Sequence, residues 1–409
     1  MTPGQKPLRV RRSGSALLTV LVSLAATLVA GAGPAGAADG TPVAPGVTYR
    51  EYDLRAAAGT THVHLLTVDL SRPRVRLGLL HPGKVAARAT VSRLAARQGA
   101  VAAVNGDFFH ISEAQHPGVA VTGASVGPAV ADGTALKAAV PRGQRFGPAL
   151  PPGTATDAVL GVGEDGRARL DRLTLTGTVS VPGRRLPLGG LNQYALPENA
   201  IGAFTSGWGE ASRRRATCGT DTDRAAPCVT RTYEVTVRRG RVVSGARTPG
   251  AGPIPPDTTV LVGREAGAAR LRALAVGTAV TVRYGLAPAS GRALRFAVGG
   301  HPLLTGGRPL PGLDTRTSAV RTAVGIADGG RRVLLLAVDG APAHRRGLTV
   351  AEVAAALLDL GATDGFGLDG GGSSTLVARA PGAGGVSVRN HPSDGAERAV
   401  ANGVGVFSR

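Results

Sequence analysis

Val333-Leu-Leu-Leu-Ala-Val338 is the segment that most restricts the fold. Six apolar residues without alternation leave no polar face, so their strand must be covered on both sides and lie inside a sheet. It stops at the turn pair Asp339-Gly340. Residues 350–360 follow as a helix, with Val350, Val353, Ala354, Leu357 and Leu358 on one face and Gly361 as its stop. Thr349-x-x-Glu352 has the spacing of a capping box, a structural role that stabilises a helix start by about 1 kcal/mol. Phe366 and Leu368 then alternate with glycines and lead into Asp369-Gly-Gly-Gly-Ser-Ser-Thr375, from which a strand, Leu376 to Ala378, departs. Strand, helix and strand in that order predict an α+β chain built on a mixed, curved β-sheet with flanking helices.

Upstream, Val63–Val68 and Val75–Leu79 read as strands. A helix is expected to run to Gln98, with Thr90 as N-cap and Gly99 just past its end. Val101–Val104 is a short buried strand that ends in Asn105-Gly106, a strong turn signal. The middle, 150–290, is strand-rich, with a hairpin expected from Tyr233–Val237 and Arg241–Val243 around Gly240. The expected organisation is a signal peptide over 1–37, a Pro/Gly/Ala-rich flexible lead-in over 38–48, and a single catalytic domain over 49–409.

The signal-peptide reading rests on three features. Lys6, Arg9, Arg11 and Arg12 precede any acid, an apolar run of about 17 residues follows, and Ala35 and Ala37 form a small-x-small cleavage site. A run of that length is at the short edge of what spans a bilayer, and the small-residue site favours removal over a retained anchor. A secreted protein with no stable membrane insertion is therefore expected. The two cysteines, Cys218 and Cys228, read as one local disulfide in such a protein. Two free thiols or half a metal site are the alternatives.

The formal charge of +20 raises the question of nucleic acid. Its arginines are scattered and not set in one stripe, and aromatic residues at 3% are too few for base-stacking platforms, so nucleic acid is disfavoured. A cationic surface suits an anionic envelope polymer or a phosphate-bearing substrate. No Gly-x-Ser-x-Gly elbow occurs, and the histidines show no metal-ligand spacing.

Three consecutive glycines need positive φ, close approach of a neighbour, or an anion-binding nest of amides; a tight turn held by Asp369 is the equal alternative. Asp339 and Asp369 both end apolar strands. Carboxylates so placed serve glycosyl transfer or hold a hard divalent cation, and each alone is more often a turn aspartate. Arg321 precedes a strand, where it either grips phosphate in bidentate fashion or sits on the surface.

In combination, these segments resemble the phosphodiester glycosidase family. The resemblance is carried in order by Ala103-Val-Asn-Gly-Asp-Phe-Phe109, Gly299-Gly-His-Pro-Leu303, Arg321-Thr-Ala-Val-Gly325, Val338-Asp-Gly340, Gly347-Leu-Thr-Val-Ala-Glu352, Leu368-Asp-Gly-Gly-Gly-Ser-Ser-Thr375, Asn390-x-Pro-Ser-Asp394 and the Arg398 stretch. Asp107 and His301 stand where further glycines are common in the family. The resemblance implies one cleft formed by strand ends, with Asp339, Asp369 and Arg321 as catalytic candidates. Asn105, Gly106, Thr322, Gly370, Gly371, Gly372, Ser373, Ser374, Asn390 and Asp394 would bind substrate, with phosphate on the Gly370–Gly372 amides and a sugar hydroxyl on Asn105. The implied activity is hydrolysis of a sugar-1-phosphodiester, N-acetylglucosamine-like, or of a related envelope glycan. The competing expectation is a non-catalytic module that binds wall polymer or exopolysaccharide.

Overall fold

The Val333–Val338 run is the centre of an eight-stranded sheet in the computed structural model, which describes residues 40–344 and 346–409. The signal peptide expected over 1–37 lies outside the described residues. In spatial order the strands are Thr41–Ala44, Val47–Ala56, Gly59–Asp69, Arg332–Val338, Thr322–Ala327, Asp364–Gly367, His301–Thr305 and Arg308–Pro309. Val333, Leu335 and Ala337 face one apolar core, and Leu334, Leu336 and Val338 face another. Burial on both faces is what the unalternated sequence required.

The helix Val350–Asp359 covers the second face, with Val353, Ala354 and Leu357 buried against Leu334 and Leu336. Leu358, expected on the same face, is exposed. Thr349 and Glu352 close the capping box in both directions, and Glu352 also accepts the Ala57 amide at 2.6 Å. A caps-first reading also places the helix Val91–Gln98, which begins at Thr90 and ends at Gly99 in the left-handed region.

The first face packs against a five-stranded sheet ordered Val386–Val388, Leu376–Arg379, Ala102–Asn105, Gly403–Ser408 and Val75–Leu80. A seven-stranded sheet closes the same core through Leu160, Phe296 and Val298. The middle region adds a five-stranded sheet that contains the expected hairpin, as Thr232–Arg238 and Arg241–Ala246. The Cys218–Cys228 disulfide is formed. Among the described residues no helix is long and apolar enough to cross a membrane.

Three expectations are corrected. The chain is strand-rich and curled, with few helices, so the α+β description fits only roughly. The sheets are antiparallel, not mixed: among the described strands only Gly190–Leu191 runs parallel to its neighbour, Ile201–Phe204. Arg332–Val338 and Asp364–Gly367 do run the same way across the helix, but Thr322–Ala327 lies between them and pairs antiparallel with both. Finally, residues 38–48 are not a flexible lead-in throughout. Thr41–Ala44 turns at Gly46 and pairs with Val47–Ala56, so Thr41 and Val43 act as strand formers despite the surrounding Pro and Gly.

Candidate active site

Three strand ends meet where the family-like motifs lie: Asn105-Gly106 after one strand, Thr322 at the start of another, and Leu368-Asp369 after a third. Asn105 ties them together. Its Nδ2 donates to the Asp369 carbonyl at 2.7 Å, and its Oδ1 accepts from Thr322 Oγ1 at 2.8 Å and from the Thr375 amide at 3.1 Å. The Asp369 amide donates to the Gly106 carbonyl at 2.9 Å, and Thr322 Oγ1 lies 3.1 Å from Ser374 Oγ. Asn390 fastens the far side of the loop, donating to the Ser374 carbonyl and accepting the Leu376 amide. Asn105, Thr322, Ser374 and Asn390 are therefore brought together as expected, but their polar atoms are spent on each other. Asn105 is fully buried and each of its side-chain polar atoms already has a partner within the protein, an arrangement that suits positioning the loop better than holding a sugar hydroxyl.

The three glycines are also explained within the protein. A Cβ on Gly370 would meet the Val320 carbonyl oxygen at 2.7 Å. Gly371 has φ of 59°, where a side chain is strained. A Cβ on Gly372 would land on the carboxylate of Asp394 and the guanidinium of Arg398. The Gly370 amide donates to Asp369 Oδ1 and the Gly371 amide to the Val320 carbonyl, each within 2.9 Å. The open three-amide phosphate nest is thus corrected: two of its donors are already used, and the Gly372 amide is outside those pairs.

What the loop does present is Asp369, with Arg398 behind it. Arg398 donates through Nε and Nη2 to Asp394 Oδ2 at 3.0 and 2.6 Å and through Nη1 to Ser373 Oγ at 3.3 Å. Asp369 is half-buried. Burial pushes its carboxyl up to about 6, against the opposing pull of Ser373, the Gly370 amide and the Arg398 charge. Asp107 is fully buried, and burial raises it too, with Asp369's charge adding to the shift and Lys137 opposing it. Asp107 Oδ2 accepts the Gly127 amide at 2.6 Å, while its Oδ1 is buried with no hydrogen-bond partner among the described residues. Burial lowers His301 to about 3, helped by the charges of Arg145 and Arg321, so its ring is neutral at physiological pH. Two carboxyls that burial biases toward the protonated form thus lie within electrostatic reach of each other and of arginines.

Arg321 is held by the Leu348 and Thr317 carbonyls at 3.0 and 2.7 Å. It stands beside the loop, with its Cα 3.7 Å from where a Gly370 Cβ would be.

Asp339 is held by a different set of contacts from Asp369. Its Oδ1 accepts the Ala341 amide at 2.7 Å. Its Oδ2 contacts His64 Nε2 at 2.9 Å, the His391 amide at 3.0 Å and His391 Nδ1 at 3.0 Å. Burial alone would raise this carboxyl, but the bonds from His391, Ala341 and His64 hold it well below the usual range. Asp339 and Asp369 leave the same edge of the sheet, with Thr322–Ala327 between their strands, and share no hydrogen-bond partner.

Several residues here had little or no sequence signal. Asp107 was visible as a departure from the family pattern. Arg145 and Lys137 carry no local motif, and His64 and His391 reach Asp339 only through the fold.

Residues 231–407 match the family described as phosphodiester glycosidase. The resemblance read from the motifs holds over that stretch. Within the glycosidase match lie His301, Arg321, Asp339, Asp369 and Arg398, while Asn105 and Asp107 precede it. Two solved structures share the fold. A hypothetical protein from Synechocystis superposes with a TM-score of 0.67 at 21% identity, covering 89% of this chain and 62% of that one. The chain thus spans less than two thirds of that protein's length. A Burkholderia pseudomallei protein described as exported gives 0.65 at 26% identity, over 87% of this chain and 76% of that one. The zebrafish N-acetylglucosamine-1-phosphodiester alpha-N-acetylglucosaminidase catalytic domain, auto-inhibited by its pro-peptide, gives 0.44 at 16% identity, over 90% and 85%. No curated protein matches the chain.

Gly372→Ala probes the Arg398 side of this site. The clashing atoms end flexible side chains, so the fold should survive while the Asp394–Arg398 pair is displaced. The expected result is a melting temperature near wild type with KM for a phosphodiester raised about tenfold, the weight of one charge-assisted hydrogen bond. Steady-state kinetics beside a thermal melt checks it.

Proposed function

We propose that this chain is an exported hydrolase that cleaves a sugar-1-phosphodiester at the anomeric carbon. The observation that carries the reading is Asp369: a half-buried carboxyl raised to about 6, on the glycine loop of the family-matching segment, with Arg398 and Ser373 beside it. Asp369, when ionised, attacks the anomeric carbon or activates water there. Arg398, positioned by Ser373 and Asp394, receives the departing phosphate. A phosphate leaves as a stable anion, so the site needs little from a general acid. Arg321 and Arg145 add positive field, and Asn105, Thr322, Ser374 and Asn390 hold the loop in register. The Cys218–Cys228 disulfide and the exported description of the Burkholderia relative support export.

The pH profile follows from the sign of the shift. A base raised to about 6 is protonated and idle below that pH, so kcat/KM should fall about tenfold per pH unit below 6 and level off above it. A flat profile between pH 5 and 8 would remove Asp369 from this role.

The function itself is tested with a panel of α-linked N-acetylglucosamine-1-phosphodiesters carrying para-nitrophenyl or uridine leaving groups. Release of free sugar that disappears in Asp369→Asn supports the reading. No turnover on any member, with tight binding to wall polymer, replaces it with the binding module.

A further inference from the structure

The N-terminal hairpin carries a second cluster that the proposed hydrolysis does not use. Glu51 pairs across the strands with His64, and Asp53 with His62. Alternation puts all four on one face, with Tyr49 next along it. One ligand atom each from Glu51, His62 and His64 lie within 4.8 Å of one another. Glu51 Oε2 is 3.5 Å from His64 Nδ1. Two donors bound to one tetrahedral zinc at its usual bond lengths stand about 3.3 Å apart. Tyr49 Oη bridges the two by hydrogen bonds, 2.7 Å from His64 Nδ1 and 2.5 Å from Glu51 Oε2, and an incoming ion would replace that bridge.

The outer contacts are the more telling feature. His64 Nε2 is engaged by Asp339 at 2.9 Å, and His62 Nδ1 by Asp53 at 2.7 Å. With a carboxylate on one nitrogen of each ring, the nitrogen left to offer an ion is Nε2 of His62 and Nδ1 of His64, the latter now in contact with Tyr49 Oη. A carboxylate behind each imidazole is how metal-binding histidines are oriented and made more basic. Two such pairs, converging on one glutamate, exceed what surface ion pairing requires. Burial is graded across the cluster: His64 is buried, His62 half-buried and Glu51 exposed, so one side of the point they share opens to solvent.

We propose that Glu51, His62 and His64 bind one divalent transition-metal ion of the zinc class, with Asp53 and Asp339 as the orienting carboxylates and the solvent side open to a water ligand. Two nitrogens with oxygen donors suit zinc better than calcium or magnesium, which favour all-oxygen sets. The ion would tie the hairpin to the Asp339 turn and, through His391, to the loop that bears Asp394 and Arg398. It stands independently of the hydrolytic reading.

The experiment uses untagged, oxidised protein, stripped with chelator and titrated with zinc chloride by calorimetry, with stoichiometry read by native mass spectrometry. The expected result is one ion per chain. His62→Ala and Glu51→Gln, both at accessible side chains, should each weaken binding by more than 100-fold. Asp53→Asn should weaken it by about 10–100-fold. Absence of saturable binding, or binding that survives both His62→Ala and Glu51→Gln in protein with a wild-type circular dichroism spectrum, overturns the proposal.

Discussion

Asp369→Asn is expected to lower kcat by about a thousandfold while leaving the protein as stable as wild type or more so at neutral pH. The kinetic loss is the usual weight of a positioned proton-transfer group or nucleophile. The stability sign follows from burial. A carboxyl raised from its ordinary value to about 6 holds its proton more tightly folded than unfolded. Stability therefore falls as pH rises from about 4 to 6, and above 6 the folded state carries an unwelcome charge. Asparagine keeps an oxygen for the Gly370 amide and removes that charge, for a gain on the order of 1 kcal/mol after solvent screening. Kinetics and thermal melts on one preparation check both parts. A large drop in melting temperature would mark Asp369 as structural.

Asp339→Asn is expected to show the reverse pattern. Its carboxylate is buried and bound by two imidazoles and two amides, so neutralising it breaks a buried charged network. The cost is about 3 kcal/mol, or a fall in Tm of roughly 5 °C for a domain of this size. The kcat of the folded protein should change less than about tenfold. In the parent, this carboxyl lies below its unfolded value. Its contribution is thus complete above about pH 4 and fades as pH falls toward the depressed folded value. That acid sensitivity should vanish in the variant, as melts from pH 2 to 7 would show. A loss of kcat as deep as that of Asp369→Asn would return Asp339 to the catalytic pair.

The contrast between these aspartates shows where sequence reading stops. Both end apolar strands and both precede glycine, so their local patterns are alike. They differ because His64, 275 residues away, and His391, 52 away, converge on Asp339 alone. The glycine triplet fails for the same reason. Its unusual composition was plain, but its neighbours Val320, Asp394 and Arg398 are supplied by other segments, and those neighbours turn a supposed nest into close packing. Features written in adjacent residues came through well. Thr90 with Gly99 bounds one helix, Thr349 with Glu352 starts another, and the Val333–Val338 run is central. Thr41–Ala44 was hidden because its partner strand, not its own Pro- and Gly-rich surroundings, makes it extended.

The place of Gly403–Ser408 has a bearing on how the protein acquires its shape. That strand lies between Val75–Leu80 and Ala102–Asn105, pairing with both, so two early segments meet only through one of the last. Asn105, which clamps the Asp369 loop, hangs on the same arrangement. The sheet can neither zip up nor form its clamp until about three hundred residues of intervening chain have emerged. Such non-local closure makes for slow, late consolidation. Deleting Gly403–Ser408 should therefore leave Val75–Leu80 and Ala102–Asn105 without a common partner, and the loss would show as a collapse of the whole melting transition.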